Sequence, residues 1–211
     1  MLRWIMALLF IALPAHADGE RAGDFDYYVM SLSWTPTWCD LTGDARQSPQ
    51  CETGKGNGFT MHGLWPQFAQ GGYPSYCRTS QSNPTRAMTG DMADIMGTNG
   101  LAWHQWKKHG RCSGLSATDY YALARKAYVT VNRPAIFRNL KTDITLPASV
   151  VEAAFMDTNP TLLQNQITIT CQAQKIQEVR ICLTKDIKLV KCGRDVSHDC
   201  ALRNAGMGKM R

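Results

Sequence analysis

Two histidines lie in short segments whose neighbouring residues suit acid–base chemistry on a phosphate. The first segment is His62-Gly-Leu-Trp-Pro66 and the second is Trp106-Lys-Lys-His-Gly-Arg-Cys112. One histidine can accept a proton while the other donates one, because the imidazole reference pKa of ~6.5 permits either state near neutral pH. Lysines can hold a phosphate, and aromatic rings can stack on bases. The two segments therefore indicate a metal-free site for phosphodiester cleavage.

The second segment ends a predicted helix, Leu101 to His109, that gathers its polar side chains on one side. At about 100° per residue, four polar residues share an arc of about 140°. These residues are His104, Gln105, Lys108 and His109. Trp103 and Trp106 fall outside this arc, so we expect both to point into the core. Gly110 is expected to end the helix.

Ligand spacing argues against a metal site. His104 and His109 are five residues apart, rather than the four that stack two ligands on a helix, and no carboxylate lies between them. The sequence also contains no Cys-x-x-Cys pair, which makes a zinc site improbable. We therefore predict that the protein needs no metal and no other cofactor. A secreted metal-dependent phosphodiesterase is the competing hypothesis.

The first residues have the form of a secretory signal peptide. Arg3 precedes an apolar run from Trp4 to Leu13, and Ala15-His-Ala17 is a small-x-small cleavage site. A membrane anchor is the alternative, but it would need ~18 to 20 apolar residues. We therefore expect a signal peptide over residues 1–17 and a single catalytic domain over residues 18–211. The mature protein would be periplasmic or secreted, without a membrane anchor.

Cysteine count and charge agree with export and with an anionic partner. The 211 residues include eight cysteines, and an even number in an oxidising compartment indicates up to four disulfides. The spacing of the cysteines does not decide how they pair. The formal net charge of +6 suits an anionic partner, although many secreted proteins are basic.

The order of the predicted elements indicates an α+β fold. Apolar residues alternate from Phe25 to Trp34, which predicts a strand with Tyr28, Met30, Leu32 and Trp34 on one side. Besides the helix at Leu101, helices are predicted from Asn83-Pro84 to Met96, from a Thr118-Asp119 cap to Val131, and from Pro147 to Phe155. Further strands are predicted at Ile167–Ala173, Ile176–Leu183 and Ile187–Cys192, with a turn at Lys185-Asp186. We expect a mostly antiparallel sheet packed with several helices in one disulfide-stabilised domain, and a frayed basic tail from Arg203 to Arg211.

The two histidine segments resemble the active-site segments of the ribonuclease T2 family. The similarity extends to Gly71-Gly-Tyr-Pro-Ser-Tyr-Cys77, to Tyr27–Pro36 and to the paired cysteines near the end, so it covers essentially the whole mature chain. Members of that family cleave RNA by transesterification without a metal. The resemblance therefore implies a monomeric endoribonuclease that cuts single-stranded RNA through a 2′,3′-cyclic phosphate to 3′-phosphate ends. DNA would not be cut, because it lacks the 2′-OH.

The resemblance also implies roles for individual residues. His109 would be the general base that takes the 2′-OH proton, and His62 the general acid that protonates the departing 5′ oxygen. These roles reverse when the cyclic phosphate is hydrolysed. His104 and Lys108 would contact the phosphate and the charge that develops on it.

Position 105 departs from the family pattern, which usually has glutamate there. Gln105 cannot carry a proton in catalysis and supplies no negative charge to nearby histidines. It can still donate a hydrogen bond to the phosphate or orient His109. We expect retained activity with an altered rate or pH optimum. The alternative is an RNA-binding or signalling protein on the same scaffold with weakened catalysis.

Base contacts and disulfide pairs complete the expectations. Trp65 is the best candidate for stacking on a base, unless it belongs to the core, and Tyr73 and Tyr76 are weaker candidates. Gln67 stands where some relatives carry an acid, which favours broad base tolerance. The resemblance implies the pairs Cys39–Cys51, Cys77–Cys112, Cys171–Cys200 and Cys182–Cys192.

Overall fold

A six-stranded sheet lies at the centre of the computed structural model, which describes residues 20–211. The strands are β1 (Tyr27–Trp34), β2 (Phe59–Gln67), β3 (Ile144–Leu146), β4 (Ile167–Gln172), β5 (Lys175–Leu183) and β6 (Ala205–Met207). β1 lies between β2 and β5 and is antiparallel to both, and β5 pairs antiparallel with β4. β6 joins β5 through a single parallel pair and is antiparallel to β3. The predicted signal segment 1–17 lies outside the described residues.

Helices pack against this sheet and build the hydrophobic core with it. They are α1 (Thr35–Trp38), α2 (Arg86–Asp91), α3 (Ala93–Met96), α4 (Asn99–Lys108), α5 (Ala117–Thr130), α6 (Ala135–Arg138) and α7 (Ala148–Thr158). A π-helical turn spans Cys39–Gly43, and short 3-10 helices span Pro49–Cys51, Gly110–Ser113 and Gln164–Gln166. The four apolar side chains predicted on one side of β1 all belong to this core. The α+β prediction with a mostly antiparallel sheet is confirmed.

Two predicted helices begin or end differently from expectation. The helix predicted from Asn83-Pro84 is two short helices, because the chain leaves regular helical geometry at Met92 (φ −80°, ψ −8°). Gly90 lies in the helical turn just before Met92, and glycine lowers the helical propensity of that turn. The cap of α5 is Ser116, not Thr118-Asp119: its hydroxyl accepts a hydrogen bond from the backbone N–H of Asp119 at 3.1 Å.

The third strand predicted near the end, Ile187–Cys192, is wrong. Ile187 adopts a left-handed conformation (φ 66°) in the turn that follows β5. The backbone N–H of Ile187 donates to Thr184 O at 2.9 Å in that turn. Among the described residues, this segment pairs with β5 through one isolated bridge, between Leu183 and Leu189, where the backbone N–H of Val190 donates to Cys182 O at 3.1 Å. The disulfide between Cys182 and Cys192 also fastens the segment to β5.

The basic tail is ordered, contrary to the expectation of fraying. Residues 205–207 form β6. Arg211 donates hydrogen bonds to Asp40 at 2.6 Å and to Asp44 at 2.6 and 2.8 Å. The position of this tail at the end of the sequence predicted fraying, but the carboxylates of Asp40 and Asp44, which follow α1, bind the side chain of Arg211.

Four disulfides join distant parts of the described chain. They are Cys39–Cys51, Cys77–Cys112, Cys171–Cys200 and Cys182–Cys192. These are the pairs that the resemblance implies. Cys77–Cys112 spans 35 residues and connects the loop after β2 to the 3-10 helix that follows α4. The loop that follows the first histidine segment is therefore covalently linked to the end of the second segment.

Candidate active site

A cleft of about 300 Å³ brings together all predicted catalytic residues and the predicted substrate-binding residues except Tyr76, which is 54% exposed outside it. The predicted residues in the cleft are His62, Trp65, Gln67, Tyr73, His104, Gln105, Lys108 and His109. β2 supplies the first part of the set, and α4 with its C-cap supplies the last four residues. Four further residues line the cleft that the sequence did not single out: Val29, Arg180, Asp195 and Val196.

His62 occupies a β-bulge in β2. Ser31 of β1 pairs with Gly63 and Leu32 pairs with Met61, so His62 is the extra residue on its strand. A bulge breaks the strict alternation of side chains and re-aims the residue that it contains. The half-buried ring of His62 lines the cleft, and its Nδ1 lies 2.5 Å from Oε1 of Glu178 on β5.

Glu178 is a buried carboxylate that sequence reasoning missed. Its side chain is 3% exposed, and its second oxygen accepts hydrogen bonds from Arg180 Nε at 3.0 Å and Nη2 at 2.8 Å. Burial alone would raise the pKa of Glu178, but the hydrogen bond from His62 and the charge of Arg180 outweigh it and lower the pKa to about 2. A signal was present in the sequence, since an acid and a base two residues apart on an apolar strand share one face.

α4 carries the other polar residues of the cleft. Its start is capped by Thr98, whose hydroxyl accepts from the backbone N–H of Leu101 at 3.1 Å. Trp106 is fully buried as predicted, and its indole N–H donates to Asn83 Oδ1 at 3.2 Å. The prediction that Trp103 points into the core is wrong: the ring is half-buried, with Lys107 Nζ at 5.9 Å from its centroid.

The error at Trp103 follows from which side of α4 is buried. The buried residues of the helix are Ala102, Gln105 and Trp106, which follow one another at helical spacing. Trp103 is not on this buried side of the helix. Gln105 is on it, and helical spacing alone groups Gln105 with the polar residues without predicting its burial.

His109 is the most buried ionisable group of α4 and its cap, with 4% of the residue exposed. It ends the helix as the C-cap residue with φ −121° and ψ −45°. Burial, reinforced by the positive charges of Lys108, His62 and His104, lowers the pKa of His109 to about 3. His104 is more exposed, and its pKa is lowered by burial and then by Lys108. His109 is therefore unprotonated at neutral pH.

Trp65 contacts both histidines of the predicted acid–base pair. Its ring centroid is 5.2 Å from that of His62 and 5.3 Å from that of His109, which it stacks on at an interplanar angle of 29°. The guanidinium carbon of Arg180 lies 5.4 Å from the same ring. Tyr73 has the more accessible ring, with 46% of the residue exposed and Lys108 Nζ at 5.5 Å. Trp65 thus packs against both histidines, and Tyr73 is open to a ligand.

Gln105 is engaged with Trp65. The indole N–H of Trp65 donates to Gln105 Oε1 at 2.8 Å, and Gln105 is 1% exposed. Gly63 makes this contact possible, since a Cβ at that position would lie 2.2 Å from Gln105 Oε1 and 2.3 Å from Trp65 Nε1. The amide therefore orients the indole that stacks on His109. Because the amide is uncharged, its effect on His109 passes through Trp65.

The cleft has the charges that an anionic ligand requires. Lys108 and Arg180 bring cations from α4 and β5, and the carboxylate of Glu178 is turned away from solvent. Asp195 also lines the cleft, but its Oδ2 accepts from the backbone N–H of Gly72 at 2.7 Å. The arrangement can hold a phosphate beside two imidazoles that exchange protons with it.

The match to a family model decides the family. The model of the ribonuclease T2 family matches residues 25–192. The chain belongs to the ribonuclease T2 family.

Individual T2 relatives agree with this assignment. The chain is 46% identical over 108 residues to a ribonuclease of Aeromonas hydrophila, a match that covers 51% of this chain and 46% of that protein. It is 28% identical over 217 residues to ribonuclease DdI of Dictyostelium discoideum, with 89% of each chain covered. The solved structure of trichomaglin, described as a novel S-like ribonuclease, superposes with a TM-score of 0.70 at 20% identity. That superposition covers 89% of this chain and 100% of trichomaglin, and it shows that the fold is shared.

No helix in the described part of this T2 chain, residues 20–211, is both long and apolar enough to cross a membrane.

The Cys77–Cys112 disulfide and a hydrogen bond from Tyr76 N to Lys108 O at 2.9 Å hold the loop after β2 against the end of α4. These links fix the position of the T2 cleft's second histidine segment relative to the first.

Replacing Gln105 of this T2 chain by glutamate should change the pH dependence of the reaction. A carboxylate on the buried side of α4 favours the protonated form of a nearby imidazole, so Gln105→Glu should raise the pKa of His109 from its depressed value of about 3. A general base must be unprotonated, so the acid limb of kcat/KM should move to higher pH than in the wild type. The measurement is the pH–rate profile of both proteins on a dinucleoside phosphate. Identical rates and profiles would show that this side chain has no electrostatic role.

Proposed function

We propose that the chain is an endoribonuclease that cleaves single-stranded RNA by transesterification without a metal. The observation that carries this proposal is the pairing, in one cleft, of an unprotonated buried His109 with a His62 whose Nδ1 contacts a carboxylate. Two imidazoles that differ in this way can act as base and acid in the same step. The T2 family membership supports the proposal independently.

In the first step, His109 removes the proton of the 2′-OH, and the 2′ oxygen attacks the adjacent phosphorus. The bond from phosphorus to the 5′ oxygen breaks, and His62 gives its proton to the departing oxygen. The products are a 2′,3′-cyclic phosphate and a free 5′-OH. His104 and Lys108 stabilise the negative charge that grows on the phosphate oxygens.

In the second step, the two histidines exchange roles. His62, now neutral, takes a proton from water, which attacks the cyclic phosphate and opens it to a 3′-phosphate. His109, now protonated, returns its proton to the 2′ oxygen. Each histidine ends in the protonation state in which it began, so the cycle needs no external acid or base.

Base recognition is proposed to be permissive. Tyr73 and Trp65 offer aromatic rings, and every base presents a π-face to such rings. Gln67 is buried but lines the cleft, and its amide can donate or accept a hydrogen bond. Cleavage rates of dinucleoside phosphates that differ only in the 5′ base would test this. Rates that differ little among the four bases support it, and strong preference for one base contradicts it.

The four disulfides suit an oxidising compartment, and we propose a periplasmic or secreted monomer released by cleavage after Ala17. N-terminal sequencing of the protein recovered from the periplasm or medium should begin at Asp18. A protein that retains residues 1–17 in the membrane fraction would contradict this.

Digestion of a short RNA tests the proposed activity. The purified mature protein should cut the RNA to cyclic-phosphate and then 3′-phosphate ends, should keep full activity in EDTA, and should leave a DNA of the same sequence intact. Loss of activity in EDTA would favour the metal-dependent phosphodiesterase. Binding of RNA without cleavage would favour the alternative of a scaffold with weakened catalysis.

A further inference from the structure

Two charged side chains of β5 are connected to the catalytic cleft: Arg180 lines it, and Glu178 contacts His62, which lines it. β1 lies between β2 and β5, and Ser33 of β1 pairs with Glu178 while Ser31 pairs with Arg180. The side chains at these paired positions share one face of the sheet. His62 must extend over β1 to contact Glu178, and the bulge in β2 is at His62 itself. The contact therefore links two strands that are not neighbours.

The small residues of β1 leave room for this contact. Ser31 is fully buried, and its hydroxyl has no hydrogen-bond partner among the described residues. An unpartnered buried hydroxyl costs stability compared with an apolar residue of similar shape. The position thus gains little from the hydroxyl, and a small side chain there keeps the space between His62 and β5 open.

Both oxygens of Glu178 are committed, one to each partner. Oε1 contacts His62 Nδ1 at 2.5 Å, and Oε2 accepts both hydrogen bonds from Arg180. The two bonds from Arg180 fix the plane of the carboxylate, because a guanidinium donates through a rigid fork. A fixed and ionised carboxylate accepts the Nδ1 proton of His62, which leaves Nε2 as the nitrogen available to a ligand in the cleft.

We propose that Glu178 is a positioning residue: it orients the ring of His62, the general acid, and Arg180 in turn orients Glu178. This inference rests on the proposed function. Glu178 keeps the Nδ1–H in place, so the proton that leaves is the one on Nε2. The ring that remains then has Nε2 free to accept a proton from water in the second step. Position 105 has no carboxylate to act on His109. The carboxylate of Glu178, on β5, acts instead on His62.

Comparing the rates on two substrates distinguishes this positioning role from a merely structural one. The first is a dinucleoside phosphate, whose 5′ oxygen needs a proton to leave. The second is uridine 3′-(4-nitrophenyl phosphate), whose nitrophenolate leaves without one. Glu178→Gln should lower kcat on the first substrate about 100-fold, the lower end of what a positioned general acid contributes. The loss on the second substrate should shrink to a few-fold, because the general acid is no longer needed there.

The controls use other carboxylates and histidines of the chain. Glu152→Gln removes a buried carboxylate of α7 that does not line the cleft, so it should leave both rates unchanged. His109→Ala removes the proposed base and should depress both substrates alike. Glu178→Asp keeps the charge but withdraws the carboxylate from Nδ1, and it should lower the rate on the dinucleoside phosphate more than on the nitrophenyl ester.

A measurement on the wild type keeps the proposal testable if the variants fold poorly. In protein labelled with ¹⁵N at histidine, the neutral ring of His62 at alkaline pH should carry its proton on Nδ1. A neutral ring protonated on Nε2 would overturn the proposal. So would an equal loss, or no loss, on both substrates in a folded Glu178→Gln protein. A wild type that cleaves neither substrate would instead contradict the proposed function, and this inference with it.

Discussion

His109→Ala should lower kcat/KM for RNA by about 100- to 10,000-fold, the range that a positioned general base contributes. The variant should still bind RNA, since Lys108, His104 and Arg180 remain in the cleft. The 2′-OH would then have to lose its proton to water. The measurement is steady-state cleavage of a dinucleoside phosphate, with binding of a 2′-deoxy analogue measured alongside it.

His62→Ala should cause a loss of similar size on the same substrate, because the departing 5′ oxygen would leave without its proton. The matched control is His198→Ala, which removes an exposed histidine from a groove that does not include the acid–base pair. That variant should cleave RNA as the wild type does. If His62→Ala or His109→Ala also retains the wild-type rate, the assignment of roles is wrong.

Removing the Cys77–Cys112 disulfide should cost both stability and activity. The bond closes a loop of 35 residues, and disulfides with loops of this size typically stabilise a domain by ~2 to 4 kcal/mol. The Cys77→Ser, Cys112→Ser protein should therefore unfold at lower denaturant concentration. Its kcat/KM should also fall at temperatures where it remains folded, because the loop after β2 and the end of α4 are no longer linked, and catalysis tolerates only small displacements.

The disulfide between Cys171 and Cys200 provides a matched control. It closes a loop of 29 residues, so its removal should cost a similar free energy of unfolding. It does not join the two histidine segments, so folded protein without it should keep most of its kcat. If the two double variants lose activity to the same extent at equal stability, the Cys77–Cys112 bond has no special role in the geometry of the cleft.

The residues of α4 could be predicted because helical periodicity is local. The spacing of His104, Lys108 and His109 alone places their side chains on neighbouring positions of one helix, and the structure brings all three to the cleft. The buried side of the helix depends on its neighbours, which the spacing does not contain. For that reason Trp103 was placed wrongly in the core, and the burial of Gln105 within the polar arc was not predicted.

Glu178 and Arg180 could not be placed from the sequence for a related reason. Their approach to His62 depends on the register of β5 against β1 and on the bulge in β2, which are both set by pairing between distant segments. The same limit explains the segment 187–192. Its apolar residues suit a strand, but after the left-handed turn at Ile187 a single isolated bridge to β5 forms among the described residues, and a disulfide holds the end of the segment.

The central claim is that His109 and His62 drive an attack by the 2′ oxygen on the neighbouring phosphate. A DNA oligonucleotide that contains a single ribonucleotide tests this most directly, with the reaction run in EDTA and the ends identified by mass spectrometry. We predict one cut, on the 3′ side of the ribonucleotide, that leaves a 2′,3′-cyclic phosphate on one fragment and a 5′-OH on the other. Cuts at deoxyribonucleotides, or fragments that begin with a 5′-phosphate, would contradict the claim.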